Sequence, residues 1–171
     1  ASRSGADQGE PTLGFAYFTD HYAAQAEGLL AALRQRWAGV AWVGCVGVGV
    51  AASGVEYFDE PALVLMLAEL PRERFEVFSG AQPLSHIDAF SALVHADPST
   101  PDLGDLLLEM SQRTASGYLF GGLAASRNGT AAATNGSGAA ALAGVSASGG
   151  GASTGEREGK ADAADAVARR I

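Results

Sequence analysis

Two His-x-Asp pairs are the clearest candidates for metal chemistry in this sequence, His86 with Asp88 and His95 with Asp97. Residues i and i+2 of a strand share a face, so each pair would present a nitrogen and an oxygen to one ion. Neither pair has a Cys or Glu cluster beside it. The preferred interpretation is hydrogen-bonded or solvated loop residues, and no metal site is predicted.

A glycine-rich segment at residues 47–52 (GVGVAA) matches the relaxed dinucleotide pattern G-x-G-x-x-A. That pattern works only where a helix begins, because the amides of the first helical turn bind the pyrophosphate. The acidic run 56–60 that follows does not start a helix, and no convincing acid lies about 20 residues on. The glycines therefore predict a tight turn and a close approach of a neighbouring strand, and no cofactor is expected.

Cys45 and Ser85 are candidate nucleophiles, each with a histidine imagined as its base. Ser85 lacks the G-x-S-x-G nucleophile elbow. Cys45 lies in an apolar strand, where burial raises a thiol pKa and lowers its reactivity. A small hydrolase is therefore the least favoured reading, and no catalytic residue is predicted.

Charge and cysteine content exclude several classes of partner. The net charge is −8, which argues against nucleic acid, since binding a polyanion needs a basic face. Residues 37–55 are uncharged, but their many glycines favour a buried strand and turn over a membrane span. No membrane partner is expected. A single cysteine fits a reducing cytoplasm.

The elements that must position these residues follow a strand, helix, strand order twice. The first unit has a strand at 13–18, a helix at 21–37 capped by Thr19 or Asp20, and a strand at 41–46. The second has a strand at 89–95, a helix after Asp102, and a strand at 117–120 that stops at Gly121 and Gly122. Each unit predicts a parallel strand pair.

The connecting segments complete the predicted fold. A turn region at 48–59 leads to a strand at 61–70, expected to pair antiparallel with strand 41–46, and a further strand is possible at 75–78. The fold class is α+β or α/β: a mixed sheet of βαβ-like units with helices packed on it, plus a disordered Ala/Gly/Ser-rich C-terminal part. The predicted divisions are a disordered leader at 1–11, a domain at 12–127, a flexible low-complexity insert at 128–155, and a weak helix or disordered tail at 156–171.

Two blocks of sequence form a pattern when they are taken together. The first contains Val43-Gly44-Cys45, then Gly54-Val55-Glu56, then an apolar strand from Pro61. The second contains His95-Ala96-Asp97-Pro98, a short helix, and the segment 119–124 (LFGGLA). In order and spacing the two blocks resemble the FIST N-terminal domain over about residues 13–126. The chain departs from the family pattern after that point, where the Ala/Gly/Ser insert replaces further strands, so a partial or truncated domain is expected.

The resemblance implies a bacterial-type intracellular sensory domain that binds a small ligand such as an amino acid or a related carboxylate. It also implies a C-terminal FIST domain or signalling partner that is absent from this chain. The glycine turns at the strand ends could hold a carboxylate through their backbone amides. The expected ligand-binding residues are Gly44, Cys45, Gly47, Asp97, Gly121 and Gly122. A non-catalytic protein-interaction scaffold, acting through the acidic loop 56–60 or the C-terminal tail, is the alternative.

Overall fold

The computed structural model of the chain describes residues 9–79, 89–127 and 140–144. Within these ranges the chain forms nine strands and two α-helices. They are β1 (Leu13–Thr19), α1 (Ala26–Arg36), β2 (Ala41–Gly47), β3 (Gly49–Ala52), β4 (Val55–Phe58), β5 (Leu63–Ala68), β6 (Phe75–Ser79), β7 (Ser91–Ala96), α2 (Leu103–Arg113), β8 (Tyr118–Leu123) and β9 (Ala140–Gly144). Neither α-helix of this described part is long and apolar enough to cross a membrane.

The strands form two mixed sheets and a separate hairpin, so the predicted mixed α/β class is confirmed. The first sheet has the order β2-β1-β5 and the second has the order β6-β9-β7-β8. β1 pairs parallel with β2, and β7 pairs parallel with β8, as the two strand–helix–strand units predict. β9 runs antiparallel to both of its neighbours.

The helix of the first unit is shorter than predicted. A 3-10 turn at Asp20–Gln25 precedes α1, and Thr19 makes no capping hydrogen bond through its side chain. The Thr19 hydroxyl instead donates to the Glu60 carbonyl oxygen at 2.9 Å and accepts from the Ala62 amide at 3.0 Å. The Asp20 carboxylate accepts hydrogen bonds from Arg127. Both predicted caps are thus occupied by distant partners, which explains why the first turn is not α-helical.

The predicted turn region at 48–59 is a β-hairpin. β3 and β4 pair antiparallel around Ser53 and Gly54, whose φ angles of 54° and 79° are those of a type I′ turn. The segment after Gly47 is therefore a strand, and the helix that a dinucleotide fingerprint needs does not form there.

The strand predicted at 61–70 is present as β5, but its expected partner was wrong. β5 pairs antiparallel with β1, with Leu13 opposite Ala68, and not with β2. The hydrogen bonds from the Thr19 hydroxyl to the β4–β5 connection fix the start of β5 beside the end of β1. Because that anchor lies on β1, the hairpin returns the chain to the far side of β1, which becomes the buried central strand of the sheet.

Two predictions about the second sheet also need correction. β8 does not stop at Gly121 and Gly122 but continues through them to Leu123. Residues 140–144, inside the predicted flexible insert 128–155, form a strand between β6 and β7. A strand paired on both sides is held by backbone hydrogen bonds, which a composition of Ala and Gly does not reveal. The rest of that insert lies outside the described residues, as do residues 1–8 of the leader and the tail 156–171.

The layers follow from the alternation of side chains along the strands. The two sheets meet face to face in a buried cluster to which β1, β2 and β6 contribute, with Leu93 of β7 packed against it. α1 covers the other face of the first sheet, packing Leu30 and Leu33 on Ala16 and Trp42. α2 covers the other face of the second sheet. Leu106 and Met110 of α2 pack with Ala92, Val94 and Ala96 of β7 in one buried cluster. The result is a four-layer arrangement of helix, sheet, sheet and helix.

Candidate functional site

The two parallel strand pairs carry the candidate site, and they share one internal arrangement. Gly44 is the fourth residue of β2, and Gly121 is the fourth residue of β8. The partner strand of each pair places a polar aromatic side chain one residue further along, Tyr17 in β1 and His95 in β7. The two sheets therefore bring equivalent positions of two similar units face to face.

Close backbone packing requires glycine at both fourth positions. Gly44 has φ +151° and Gly121 has φ +133°, conformations that side chains rarely tolerate. A Cβ at Gly44 would overlap the carbonyl oxygen of Ala16, and a Cβ at Gly121 would overlap that of Val94. Both predicted site residues thus have a structural reason to be glycine, independent of any ligand.

Tyr17 and His95 join the two sheets through a hydrogen bond. The Tyr17 hydroxyl lies 3.0 Å from His95 Nε2, and the two rings are 5.4 Å apart with a 60° tilt. His95 is only 4% exposed, and its Nδ1 is buried with no hydrogen-bond partner among the residues that the structure describes. If the hydroxyl donates to Nε2, the imidazole proton is on Nδ1, which is then a donor without an acceptor.

Cys45 lies opposite Tyr17 in the parallel register, and all three side chains are held in uncharged forms. Burial raises the pKa of the Cys45 thiol to about 11. Burial, and secondarily Cys45, raises the pKa of Tyr17. Burial lowers the pKa of His95, so its imidazole is neutral near pH 7. We call Tyr17, Cys45 and His95 the strand-end cluster. Its side chains can therefore donate and accept hydrogen bonds, and none of them is a thiolate.

The remaining predicted site residues lie around this cluster in different roles. Gly122 lies opposite His95 in the register of β7 and β8 and is exposed. Gly47 is the half-buried last residue of β2. Asp97 follows β7, but its Oδ1 accepts from the amide and hydroxyl of Ser99 at 2.8 and 2.6 Å. Asp97 thus shapes the turn before α2, which argues against a role as a ligand contact.

The two His-x-Asp pairs do not form a metal centre in the described part of the chain. His95 is bonded to Tyr17, whereas Asp97 is bonded within its own turn. His86 and Asp88, together with Ser85, lie outside the described residues. Residues 9–79, 89–127 and 140–144 contain no group of three or more His, Cys, Asp or Glu side chains that could hold a metal ion.

Sequence reasoning missed Tyr17 as a site residue and missed a second polar contact between the units. Asp20, buried at the end of β1, accepts from the amide, Nε and Nη2 of Arg127 at 2.8–2.9 Å. Arg127 also pairs with Asp59 after β4. These hydrogen bonds with Arg127 hold the pKa of the Asp20 carboxyl well below its ordinary value. The ion pair holds the segment after β8 beside the first sheet, where the Ala125 amide also donates to the Val46 carbonyl oxygen at 3.1 Å.

The fold and the cluster define a mixed α/β domain with uncharged polar side chains between two sheets, buried at His95 and half-buried at Tyr17 and Cys45. The sequence matches the FIST N domain over residues 12–160. The chain therefore belongs to the FIST N domain family, whose members are sensory domains of signal transduction. Comparison with curated proteins and with solved structures finds no match.

Proposed function

We propose that this chain is a non-catalytic cytoplasmic sensory module that binds a small molecule at the strand-end cluster. The proposed ligand is an amino acid or a related carboxylate. The family assignment supports the sensory role, and the polar groups of the cluster support the ligand class. A ligand oxygen can accept a hydrogen bond from an imidazole or hydroxyl donor without needing a charged residue.

The observation that carries the proposal is the buried Nδ1 of His95, which lacks a partner in the described part of the chain. An unpaired buried polar group costs about 1–3 kcal/mol, so proteins keep few of them and each one needs an explanation. Tyr17 fixes the other nitrogen of the ring at 3.0 Å and so orients the imidazole. A carboxylate oxygen bound at Nδ1 would remove the cost of leaving it unpaired.

The protonation states support a binding role over a catalytic one. A thiol whose pKa is raised to about 11 is a poor nucleophile at neutral pH, because the thiolate is the reactive form. His95 is neutral and lacks a buried carboxylate partner in the described residues, since Asp97 bonds to Ser99. The arrangement of base and orienting acid typical of nucleophilic catalysis is therefore missing from this cluster.

A thermal-shift screen against amino acids and small carboxylates tests the proposal. A ligand at 100 times its dissociation constant adds about 2.7 kcal/mol of stability, which gives a clear shift. Tyr17→Phe removes only the hydroxyl that orients His95, so it should reduce the shift. Tyr22→Phe is the matched control, because Tyr22 packs on a different cluster around Phe18 and Val46.

Two results would count against ligand binding at this cluster. One is a cooperative melt that no amino acid or carboxylate shifts. The other is a ligand shift that Tyr17→Phe and Tyr22→Phe leave equally intact, which would place the ligand elsewhere.

Exposed apolar side chains support a second candidate function, an interaction scaffold. Tyr118 and Phe120 of β8 are 72% and 57% exposed, and Met66 of β5 is 55% exposed. β5 and β8 are both outer strands of their sheets, where another chain can pair. A partner such as a C-terminal FIST domain would cover this surface. The double variant Tyr118→Ser, Phe120→Ser should then abolish binding of that domain supplied in trans. Unchanged binding by a folded double variant would reject the scaffold reading.

A further inference from the structure

The chain leaves β8 through a short segment, residues 124–127, which we call the crossing segment. The amide of Ala124 donates to the carbonyl oxygen of Ala96, the last residue of β7, at 2.8 Å. The next amide, that of Ala125, donates to the carbonyl oxygen of Val46 near the end of β2 at 3.1 Å. Within two residues the crossing segment therefore passes from the second sheet to the first.

Arg127 fastens the far end of the crossing segment to the end of β1. Its amide, Nε and Nη2 donate to the carboxylate of Asp20 at 2.8–2.9 Å. Its Nη1 pairs with the Asp59 carboxylate after β4. Asp20 is only 3% exposed, whereas the side chain of Arg127 is 47% exposed. A cation at the surface thus holds the segment on a buried anion.

Each attachment point lies just beyond a member of the strand-end cluster. In β2 and β7, the accepting carbonyl belongs to the residue directly after Cys45 and directly after His95. At the end of β1, the accepting carboxylate lies three residues after Tyr17. The crossing segment therefore contacts all three strands that carry the cluster, and each contact is on the side toward the carboxyl end of the strand.

We propose that Arg127 is a positioning residue that closes the crossing segment over the strand-end cluster, and that a small molecule reaches Cys45 when the segment detaches. The inference rests on the proposed function for the ligand, but the closure can be measured without one. Ala124 is 1% exposed, whereas Ala125 and Arg127 are exposed. Because the segment buries little apolar surface, it can open without unfolding of the domain.

The thiol of Cys45, the single cysteine of the chain, reports on this opening. Iodoacetamide is a small uncharged reagent, and mass spectrometry measures its rate of alkylation of the folded protein. Arg127→Gln should raise this rate about tenfold or more, because hydrogen bonds between charged groups are lost. Arg113→Gln is the control, since it removes the same charge from an ion pair with Glu109 on α2. It should change the rate by no more than about twofold.

The urea dependence of the alkylation rate separates local opening from unfolding of the whole domain. Local opening exposes little surface, so its equilibrium constant changes little with urea, whereas global unfolding becomes steeply more favourable. In Arg127→Gln, the rate should therefore be nearly independent of urea at low urea concentrations.

If Arg127→Gln does not fold, Asp59→Asn carries the same comparison. This change removes the charge of the exposed partner of Arg127 and leaves Asp20 unaltered. Asn tolerates the φ angle of 55° found at Asp59. The alkylation rate should rise about two- to fivefold, because an exposed ion pair contributes little. Glu109→Gln is the control with the same change of charge.

Two results would overturn the proposal. Equal alkylation rates in Arg127→Gln and Arg113→Gln would show that the crossing segment does not limit access to Cys45. A rate in Arg127→Gln that rises steeply from zero urea, in parallel with global unfolding, would show that Arg127 only stabilises the fold. Neither result depends on a ligand. A thermal-shift screen without a shift would therefore count against ligand binding and not against the closure.

Discussion

Gly44→Ala tests whether close packing of β1 and β2 sets the identity of this residue. The added Cβ would overlap the carbonyl oxygen of Ala16, a residue that is 0% exposed at the centre of the sheet. It would also force a side chain onto a backbone with φ +151°. A strained φ costs about 1–3 kcal/mol, and overpacking a core costs about the same again.

The expected loss of unfolding free energy is therefore about 2–6 kcal/mol, the sum of these two contributions. That is a large part of the roughly 5–15 kcal/mol by which a domain is stable. Gly121→Ala meets the same kind of overlap with Val94 but lies on an exposed outer strand, so the strand can shift and the loss should be smaller. Gly28→Ala in α1 meets nothing within 4 Å and should instead stabilise by about 0.5–1 kcal/mol.

Urea unfolding of the three variants, followed by tryptophan fluorescence and far-UV circular dichroism, measures these differences. Agreement of the two probes is needed before a free energy is assigned. A Gly44→Ala variant within about 1 kcal/mol of the parent would refute the reasoning, because the two costs together are expected to be at least about 2 kcal/mol. So would a Gly121→Ala variant that is the less stable of the two.

Three further predictions follow from protonation states. Hydrogen bonds with Arg127 lower the pKa of the Asp20 carboxyl in the folded protein, so on acidification the unfolded chain is protonated at this residue before the folded protein is. The free energy of unfolding should therefore keep its full value above about pH 4 and decrease as the pH falls below it. Asp20→Asn should remove that part of the acid dependence in urea melts, and an unchanged dependence would contradict it. Burial lowers the pKa of His95, so stability should also decline as the pH falls below about 6.5, and His95→Gln should flatten this slope. A slope retained in that variant would assign it to another group. Cys45, with its pKa raised to about 11, should react with a thiol reagent at pH 8 on the order of a hundredfold more slowly than in urea-unfolded protein. Equal rates in the folded and unfolded protein would show that the thiol is not buried.

The parts of the fold that sequence predicts are those set by neighbours in the chain. Short apolar strands on either side of a helix predict each βαβ unit, and the helix is recognised by apolar residues at helical spacing, such as Leu30 and Leu33. Strand pairing beyond these units is set by contacts that no local pattern shows. β5 joins β1 because of the Thr19 hydroxyl, 43 residues before Ala62. β9 joins the second sheet by pairing with β6 and β7, far from it in the chain.

The sequence predicts Cys45 and the glycines of β2 and β8 as ligand-binding residues, and this stays a prediction. The contact between Tyr17 and His95 has no local signal, because the two residues are 78 positions apart and the sequence pattern pairs His95 with Asp97. The equivalence of Gly44 and Gly121 in the two units was the available clue. Aligning the two units on these glycines would have placed Tyr17 and His95 at matching positions.

The position of β9 has a consequence for how the chain folds during synthesis. Residues 13–68 contain every strand of the first sheet, so that sheet can form as soon as they are made. β6 is joined to β7 only through β9, whose strand begins 61 residues after Ser79. Because the ribosome adds about 5–20 residues per second, the edge of β6 that pairs with β9 stays unpaired for several seconds. During this delay the unpaired backbone edge of β6 can pair with a strand of another chain, which is a route to aggregation.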